Sequence, residues 1–533
     1  MTYIKNALLV ITALLIVTAS NAKEQQALKN IKEKPIVVVI PSYNNKDWYK
    51  KNLDSIFNQK YENYRVLYIN DYSEDGTGEL VEAYVKKCKQ EHRFTLLNNP
   101  ANRGVMANHY HAVHLCEDHE IVVNVDGDDW LKHQHVLQKI NETYQDPNVW
   151  MTYGQFEYLI PTKEKNTFIT QKGFCKKIGK KTVRTRSYRA SKWLTSHLRT
   201  FYAGLFKHIK LKDFLIRGTF FRSTADIAMM MPMLEMANGK CKFIDEILYT
   251  YNCITPTNIF KKRNKEQTYN SHTIRSREKY SPLQKDGIPM GNVPKNANVD
   301  LLIFSVNPYC LQKSLESIYC YISGINTIYI LYTPSEKTQK TYEKLQKEFK
   351  TVTFIPTKRD NFKFLFEEII SSTNNNHILL SKDTMIVKDF VNISKCMQLM
   401  EQTHAYGFYL SLGKNIKKNM YLRRTQQTPI HVKIIHDIYA WQFTYGEYDW
   451  RRPNNTSMTM YRKKDIIKSV KDITYDSYQT LEKIWNNQLF DLSEVGLFFE
   501  NSKALEIESG NKKPAINIFQ SFLLKNTQIK EVT

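Results

Sequence analysis

The hydrophobic pattern from residue 35 onward predicts alternating strands and helices. Residues 36–40 (IVVVI) are apolar at every position, as expected of a parallel strand that is covered on both faces. Leu53, Ile56 and Phe57 follow at spacings that share one helix face. The pattern continues with a strand, a helix and two strands at 65–69, 79–85, 94–97 and 121–125. Such alternation predicts a doubly wound α/β sheet.

The same pattern restarts in the second half of the chain. Residues 300–304 (DLLIF) and 327–332 read as strands, and LDSIF at 53–57 recurs as LESIY at 315–319. Ser73-Glu74 recurs as Ser335-Glu336 at the same offset of 262 residues. A shared offset indicates an internal duplication, and the alternative is that two unrelated α/β domains match by chance.

Polar and turn-forming stretches suggest the domain boundaries. Residues 271–297 carry Pro and Gly among polar residues and read as a linker. Residues 23–34 read as a polar spacer. We therefore expect one α/β domain at 35–270 and a second α/β domain, of the same type, at 298–533.

The N-terminal 22 residues have the pattern of a targeting segment. Lys5 precedes an apolar run at 7–19, and Ser20-Asn21-Ala22 has the form of a cleavage site. The prediction is an exported protein with a signal peptide at 1–22, or a membrane-associated one if the segment stays as an anchor. The lysines after the run could instead hold the body on the cytosolic face.

Charge and composition narrow the class of partner. The 533 residues carry 76 Lys+Arg against 53 Asp+Glu, a net charge of +23, and 42% are hydrophobic, which excludes a disordered chain. Residues 172–217 hold 14 basic residues and one acid. This segment is predicted to meet an anionic acceptor, lipid carrier or membrane surface, unless it is an ordinary solvated face. No recognition motif supports nucleic acid as a partner.

Carboxylates follow two of the predicted strands. Asp71 ends the strand RVLYIN, and Asp126, Asp128 and Asp129 follow the strand IVVNV. Ligands of open α/β sheets bind at the carboxyl ends of the strands. Three neighbouring carboxylates favour an oxygen-liganded Mg²⁺ or Mn²⁺, and the alternative is a solvated acidic turn that caps the next helix.

At this point the chain resembles the family 2 glycosyltransferases of GT-A fold over about residues 35–270. The resemblance rests on several ordered motifs: VVVIPSYN (37–44), Asp71 with the SxDGT turn (73–77), NRGVMANHYHA (102–112), VDGDDWL (125–131) and TADIAMMMPMLEMA (224–237). It implies a metal-dependent, inverting transfer of a sugar from a nucleotide-diphosphate donor, with a UDP-sugar favoured. The acceptor would be a glycan, a lipid-linked group or a protein.

The resemblance also implies roles for individual residues on the donor side. Pro41, Ser42 and Tyr43 would flank the nucleotide base, which Asp71 would bind through a hydrogen bond. Tyr43 could instead be a core-edge aromatic residue, and Asp71 a turn former. At the diphosphate, the resemblance implies that Asp126 contacts the sugar–nucleotide portion of the donor. Asp128 and Asp129 would hold the metal, and Arg263 would supply a counter-charge. Which of the two metal carboxylates binds directly stays open.

On the acceptor side the resemblance implies that Asp226 is the catalytic base. Its alternative is an acid at a helix N-terminus, favoured there by the helix dipole. His197 and Arg199 match the acceptor-side loop of the family, and His197 could equally be a packing residue. Where relatives often place a His after this domain's last strand, the chain has Asn258, Lys261, Lys262 and Arg263.

The second half lacks the acidic residues of the first. Thr333 takes the position equivalent to Asp71, and Ser381-Lys382-Asp383-Thr384 follows the strand HILL. Because Lys382 would oppose a cation, the second domain is predicted to be a degenerate GT-A-like domain. Its Trp441 and Trp450 segments could bind sugar or form core.

Two other classes compete with a glycosyltransferase. A nucleotidyltransferase needs the same carboxylates, but the expected phosphate loop is replaced by PSYNNKD after the first strand. A non-catalytic glycan- or surface-binding protein would have no need of the acids at 126, 128, 129 and 226. Metal-dependent nucleotide binding separates the enzyme classes from the binding protein, which does not predict it.

Overall fold

The computed structural model describes residues 32–164, 167–255, 264–284, 287–291, 299–372, 375–419, 422 and 424–507. The chain forms two compact units, Met1–Ile209 with Phe221–Gly291, and Lys210–Phe220 with Asn292–Thr533. The predicted targeting segment at 1–22 lies outside the described residues. Within the described ranges, no helix is long and apolar enough to cross a membrane.

The first unit alternates strands and helices as predicted. Its strands are β1 Ile36–Ser42, β2 Tyr64–Asn70, β3 Phe94–Asn98, β4 Ile121–Asn124, β5 Trp130–Leu131, β6 Met151–Pro161, β7 Phe168–Lys172, β8 Thr200–Tyr202 and β11 Cys241–Asn252. Its helices are α1 Tyr49–Phe57, α2 Thr77–Lys87, α3 Val105–His114, α4 Val136–Thr143, α5 Lys180–Thr185, α6 Ala203–Phe206, α7 Ala225–Ala237 and α8 Asn264–Ser276. The helix α8 crosses the predicted boundary at residue 270 and packs on α7.

The sheet of the first unit has the order β3-β2-β1-β4-β8-β6-β11-β5, with β7 beside β6. The first four strands are parallel, which brings their carboxyl ends to one edge. The β8 strand is antiparallel to both of its neighbours. The core strand β1 is buried along its whole length, which explains its unbroken apolar run. The fold is the GT-A-like doubly wound sheet that was predicted.

The second unit is also α/β with a mixed sheet. Its strands are β9 Leu215–Ile216, β10 Thr219–Phe220, β12 Val299–Ser305, β13 Ile322–Ser323, β14 Ile325–Tyr332, β15 Val352–Pro356, β16 His377–Lys382, β17 Met385–Val387, β18 Val391–Asn392, β19 Gly407–Tyr409, β20 Lys418–Asn419, β21 Arg424–Thr425, β22 His431–Ile435, β23 Ile438–Gln442, β24 Thr459–Arg462, β25 Val495–Phe499 and β26 Ala504–Glu506. Its helices are α9 Pro308–Tyr321, α10 Gln339–Glu348, α11 Phe362–Ser372, α12 Ile393–Thr403, α13 Lys463–Val470 and α14 Tyr478–Trp485.

The two main sheets share one strand order over seven strands. The second runs β15-β14-β12-β16-β24-β19-β25, followed by β23 and β22. Each pairing in these seven strands has the same sense as its counterpart in the first unit, including the antiparallel strand β24 and the parallel pair β19–β25. This is the topology that the repeated sequence pattern leads one to expect.

In the second unit, the carboxylate at the position that corresponds to the acidic turn has a structural role. Asp383 is buried and accepts hydrogen bonds from the backbone N–H groups of Val306 and Asn307, both at 2.7 Å. It therefore holds the start of α9. Trp441 and Trp450 are fully buried, so they form core and do not present a sugar-stacking surface.

Two buried ionic groups stabilise the second unit. Lys463 Nζ lies 2.8 Å from Asp300 Oδ2, and both side chains are almost fully buried. Glu401 accepts from His377 Nε2 at 2.9 Å and from the Arg462 guanidinium. Burial alone would raise the pKa of Glu401, but these two partners outweigh it and bring the pKa to about 2.

Residues 210–220 belong to the second unit although the first unit's chain resumes at Phe221. Leu211 and Phe214 are fully buried, and β9 and β10 form a small hairpin. Lys212 Nζ binds Asp491 Oδ2 at 2.8 Å and Glu494 Oε1 at 2.6 Å. The segment is an integral part of the second unit.

Candidate active site

The predicted site lies where β1, β2 and β4 end. The end of β1 supports the acidic turn directly, because Gly127 N donates to Pro41 O at 3.1 Å. Ser42 Oγ accepts from Tyr68 Oη at 2.8 Å and from Asn45 Nδ2 at 3.0 Å. A Cβ on Gly127 would lie 2.6 Å from Ser42 Oγ, so the turn needs glycine. The structure therefore gives Pro41 and Ser42 a supporting position beneath the acidic turn.

Asp71 lies at the end of β2, and its carboxylate holds the start of α3. Its Oδ1 accepts from Asn99 Nδ2 and Arg103 N, and its Oδ2 accepts from Gly104 N, each at 2.8 Å. A carboxylate has about four acceptor positions, so one remains after these three bonds. Asp71 N also donates to Ser42 O at 2.8 Å, which ties the ends of β1 and β2 together. The role of Asp71 in accepting a hydrogen bond from the nucleotide base stays a prediction, and its carboxylate has one acceptor position left for that bond.

The SxDGT motif shapes the loop after β1. Asn44 N donates to Ser73 Oγ and Asn45 N donates to Thr77 Oγ1, both at 2.9 Å. The loop passes through left-handed backbone at Asn44 (φ 55°). Tyr43, just before it, is 43% exposed, so its ring is available to a base, and the core-edge alternative is not what the structure shows.

The acidic turn is fixed from two sides by residues that the motifs did not single out. Asp129 Oδ2 accepts from Tyr249 Oη at 2.6 Å, and Asp129 Oδ1 accepts from Asn252 N at 2.7 Å. From α1, Asn52 Nδ2 donates to the carbonyl oxygens of Asp126 (3.0 Å) and Asp129 (2.7 Å). The turn is therefore preorganised by the end of β11 and by a buried amide.

Three side chains come close enough to hold one cation. An oxygen of Asp126, an oxygen of Asp129 and a ring nitrogen of His197 all lie within 4.8 Å of one another. Ligand atoms on opposite sides of a Mg²⁺ ion are separated by about 4 Å, so one ion fits this spacing. Asp128, the other predicted metal ligand, has the Thr255 hydroxyl beside it, and its role as a ligand stays a prediction. The structure thus pairs the predicted ligand Asp129 with Asp126 and with a histidine from the acceptor-side loop.

The electrostatics of the turn favour a bound cation. Burial and the neighbouring carboxylates raise the pKa of Asp128 to about 6 and that of Asp129 well above its usual range. Burial, and then the nearby Arg199 charge, lower the pKa of His197, so its imidazole is neutral and able to bind a metal. Its Nδ1 is shielded from water and has no hydrogen-bond partner among the described residues. Two carboxylates and an unpartnered imidazole form a suitable donor set for a divalent ion.

The charges of the predicted base Asp226 and of the acceptor-side Arg199 both act on Asp126. Asp226 lies in the first turn of α7, where the helix dipole favours a negative charge. Burial raises the pKa of Asp126, the negative charge of Asp226 raises it further, and Arg199 opposes the rise. Asp226 and Arg199 are therefore near enough to act on the same carboxylate.

The basic segment 172–217 is not one continuous surface. Arg189 is buried and forms a two-bond ion pair with Glu235, and Arg199 is 4% exposed beside the acidic turn. Lys207 binds Asp118 at 2.8 Å. Most of the exposed basic residues of the segment lie in 172–192, and the predicted surface for an anionic partner stays a prediction. Of the aromatic residues interleaved with the segment, Trp193 is half-buried and Phe174 is exposed; the buried ones include Tyr188, Phe201, Tyr202 and Phe206.

Sequence reasoning missed three contributors to the site, Asn52, Tyr249 and Asn252. Asn52 left a signal, because it is a polar residue on the apolar face of an amphipathic helix. The other two reach the acidic turn only because β11 pairs with β5, which follows that turn. No local sequence pattern predicts such a strand pairing. Arg263 and its neighbours Asn258, Lys261 and Lys262 lie outside the described residues.

The first unit carries a preorganised acidic turn at the carboxyl edge of its parallel strands, where open α/β sheets bind their ligands. Residues 37–209 match the family described as "Glycosyl transferase family 2". This part of the first unit therefore resembles the family 2 glycosyltransferases, as its motifs predicted.

The known proteins that are similar to this chain match only parts of it. Glycosyltransferase GlyA of Streptococcus pneumoniae is 30% identical over 122 residues, 22% of this chain and 17% of that protein. Bifunctional glycosyltransferase pgtA of Dictyostelium discoideum is 24% identical over 193 residues, 32% of this chain and 25% of that protein. The chain thus spans a quarter or less of the length of these relatives.

Two of the solved structures that match the chain are nucleotide-sugar complexes. S. aureus TarS 1–349 with UDP-GlcNAc is 16% identical and covers 45% of this chain and 65% of that chain, with a TM-score of 0.35. Mannosyltransferase PcManGT from Pyrobaculum calidifontis, with GDP-Man and Mn²⁺, is 16% identical and covers 47% and 66%, with a TM-score of 0.33.

Proposed function

We propose that the first unit transfers a sugar from a nucleotide-diphosphate donor, with a UDP-sugar favoured, to an acceptor hydroxyl with inversion. The observation that carries the proposal is the convergence of Asp126, Asp129 and His197 within 4.8 Å at the end of the parallel strands. The charge of Asp226 acts on the same site. No other group of described residues combines strand-end carboxylates with a candidate base.

The chain's residues divide the work of the reaction. Asp126, Asp129 and His197 would hold the divalent cation, which when bound would offset the negative charge of the leaving diphosphate. The imidazole ligand favours Mn²⁺ over Mg²⁺, because Mg²⁺ prefers oxygen donors. Tyr43 would cover the base, and Asp71 would accept a hydrogen bond from a base N–H at its remaining acceptor position.

Asp226 would accept the proton of the attacking hydroxyl as general base. An inverting transfer needs one carboxylate on the acceptor side, since attack and departure occur on opposite faces of the sugar. The proposed acceptor is a glycan, a lipid-linked group or a protein. The exposed basic residues of 172–192 support an anionic acceptor or carrier.

The test separates donor binding from chemistry. Calorimetric titration of residues 23–533 with UDP, GDP and CDP, with and without Mn²⁺, should show one nucleotide whose binding requires the metal. Asp126→Asn should abolish this binding, whereas Asp245→Asn, which removes an exposed carboxylate of the same unit, should leave it unchanged. If no nucleotide binds in a metal-dependent way, the proposal is wrong.

Asp226→Asn tests the base assignment. Water can replace the acceptor, so release of UDP from UDP-glucose, UDP-galactose and UDP-N-acetylglucosamine measures the chemical step. The variant should retain metal-dependent UDP binding and lose about 10²- to 10⁴-fold in the rate of release, the usual contribution of a general base. Unchanged release by the variant would move the base elsewhere.

A further inference from the structure

A cavity of about 250 Å³ lies in the first unit beside the helix that carries Asp226. Its lining includes Met231 and Leu234 of α7, and Trp193 and Thr195 from the stretch of chain before β8. The volume is below the roughly 300–1,000 Å³ of pockets that hold drug-sized ligands. It suits a ligand of one ring rather than an extended chain.

The walls combine apolar surface with hydroxyl groups. Trp193 is half-buried and is one of the lining residues. Thr195 is 2% exposed, and its Oγ1 has no hydrogen-bond partner among the described residues. Thr182 Oγ1 and Ser191 Oγ, also in the lining, are 3.3 Å apart, a long contact for two hydroxyls.

A buried hydroxyl without a partner is costly, so the ligand should supply one. A hydrocarbon chain would fill the apolar walls and leave Thr195 unpaired. A pyranose ring offers both features, since its C–H face packs against an aromatic ring and its edge carries hydroxyls. The chemistry of the cavity therefore fits a saccharide.

The position of the cavity relates it to the candidate base. Met231 and Leu234 follow Asp226 by five and eight residues, which is about 8–12 Å along a helix. Thr195, also in the lining, precedes His197 of the cation group by two residues. One stretch of chain and one helix thus connect the cavity to the acidic turn.

We propose that this cavity is an acceptor subsite that binds one sugar residue of the acceptor through Trp193 and Thr195. The proposal rests on the glycosyl transfer proposed above. The sugar bound here would be a neighbour of the residue whose hydroxyl reaches Asp226. Trp193 and Thr195 would then determine which acceptors are used.

The experiment measures sugar binding to the full chain without metal or nucleotide. Saturation-transfer NMR with the methyl glycosides of glucose, galactose, mannose and N-acetylglucosamine should show binding of at least one, and decanoate serves as the hydrocarbon probe. Thr195→Val keeps the shape and removes the hydroxyl, and should weaken binding roughly tenfold, whereas Thr195→Ser should retain it. Trp193→Ala should abolish binding, and Trp193→Phe should restore part of it.

The possible results separate the two proposals. If UDP binds with Mn²⁺ but no methyl glycoside binds, the subsite is wrong and the proposed function stands. If decanoate binds and Thr195→Val has no effect on any probe, the cavity is a hydrocarbon site and the inference is overturned. If a glycoside binds but no nucleotide does, the proposed function fails, and the acceptor role of the cavity fails with it.

Discussion

Replacing Gly127 by alanine tests whether the end of β1 positions the acidic turn. The added Cβ would lie 2.6 Å from Ser42 Oγ and 2.7 Å from Asn45 Nδ2, about 0.8 Å inside the 3.4 Å at which ordinary contact begins. The Ser42 hydroxyl is held by Tyr68, so it cannot rotate away without losing a hydrogen bond. Overpacking of this kind costs about 1–3 kcal/mol. The turn should shift, and with it the carboxylates on either side.

Two measurements follow the effect of Gly127→Ala. The melting temperature of the first unit should fall by about 2–4 °C per kcal/mol lost, and metal-dependent UDP binding should weaken. Gly179→Ala is the matched control, because no atom lies within 4 Å of its added Cβ, and its stability should change by less than about 0.5 kcal/mol.

The partner of the clash can also be removed. Ser42→Gly deletes both the Oγ and the Cβ that oppose the new methyl group, so the double variant should be more stable than the sum of the two single changes. Strict additivity, or a Gly127→Ala protein with normal stability and normal UDP binding, would refute the account of the turn.

Three further changes test other parts of the structure. Tyr249→Phe removes the hydroxyl that donates to Asp129, and should cost about 1–3 kcal/mol in the free energy of unfolding and weaken Mn²⁺ binding, measured by denaturant titration and calorimetry. Lys463→Met leaves the buried carboxylate of Asp300 without its cation and should destabilise the second unit by about 3–5 kcal/mol, with recovery when Asp300→Leu is added. The pKa of Glu401 is lowered from its ordinary 4.5 to about 2 in the folded chain, so its contribution is complete above pH 4.5 and is lost as the pH falls from 4.5 towards 2. Urea unfolding over that window should show a loss approaching about 3 kcal/mol that is absent in Glu401→Gln.

The fold of the first unit was predictable because its central strands are covered on both faces. Burial of β1 on both faces of the sheet requires an unbroken apolar run, and such a run is easily recognised in the sequence. The ends of these strands were equally clear, since a carboxylate directly after a buried strand stands out. This is why Asp71 and Asp126 were placed correctly at the sheet edge.

The cation group was only half predictable for a physical reason. Asp129 and Asp126 are neighbours in sequence, but His197 joins them through β8, an antiparallel strand of three residues that pairs with β4. A strand so short has no periodicity to read. Asp128 was an equally good candidate from spacing alone, and its contact with Thr255 depends on where the chain runs after β11.

The basic segment shows the limit of counting charges. The sequence shows 14 basic residues in 172–217 but not whether their side chains face solvent or the interior. Arg189 pairs with Glu235 in the last turn of α7, a mostly apolar helix whose sequence gave little reason to expect a buried ion pair. An acid within an apolar helix is the one signal that could have indicated it.

The segment 210–220 has a consequence for how the chain can be made and divided. Because it completes the second unit, the chain passes between the two units at three places, after residues 209, 220 and 291. During synthesis these eleven residues leave the ribosome before the partners of Lys212 at 491 and 494 exist. The second unit therefore has to wait for its own C-terminal strands before it can close. A fragment cut at 291 would carry Leu211 and Phe214 without the unit to which they belong, so neither half should be obtained intact by a single cut.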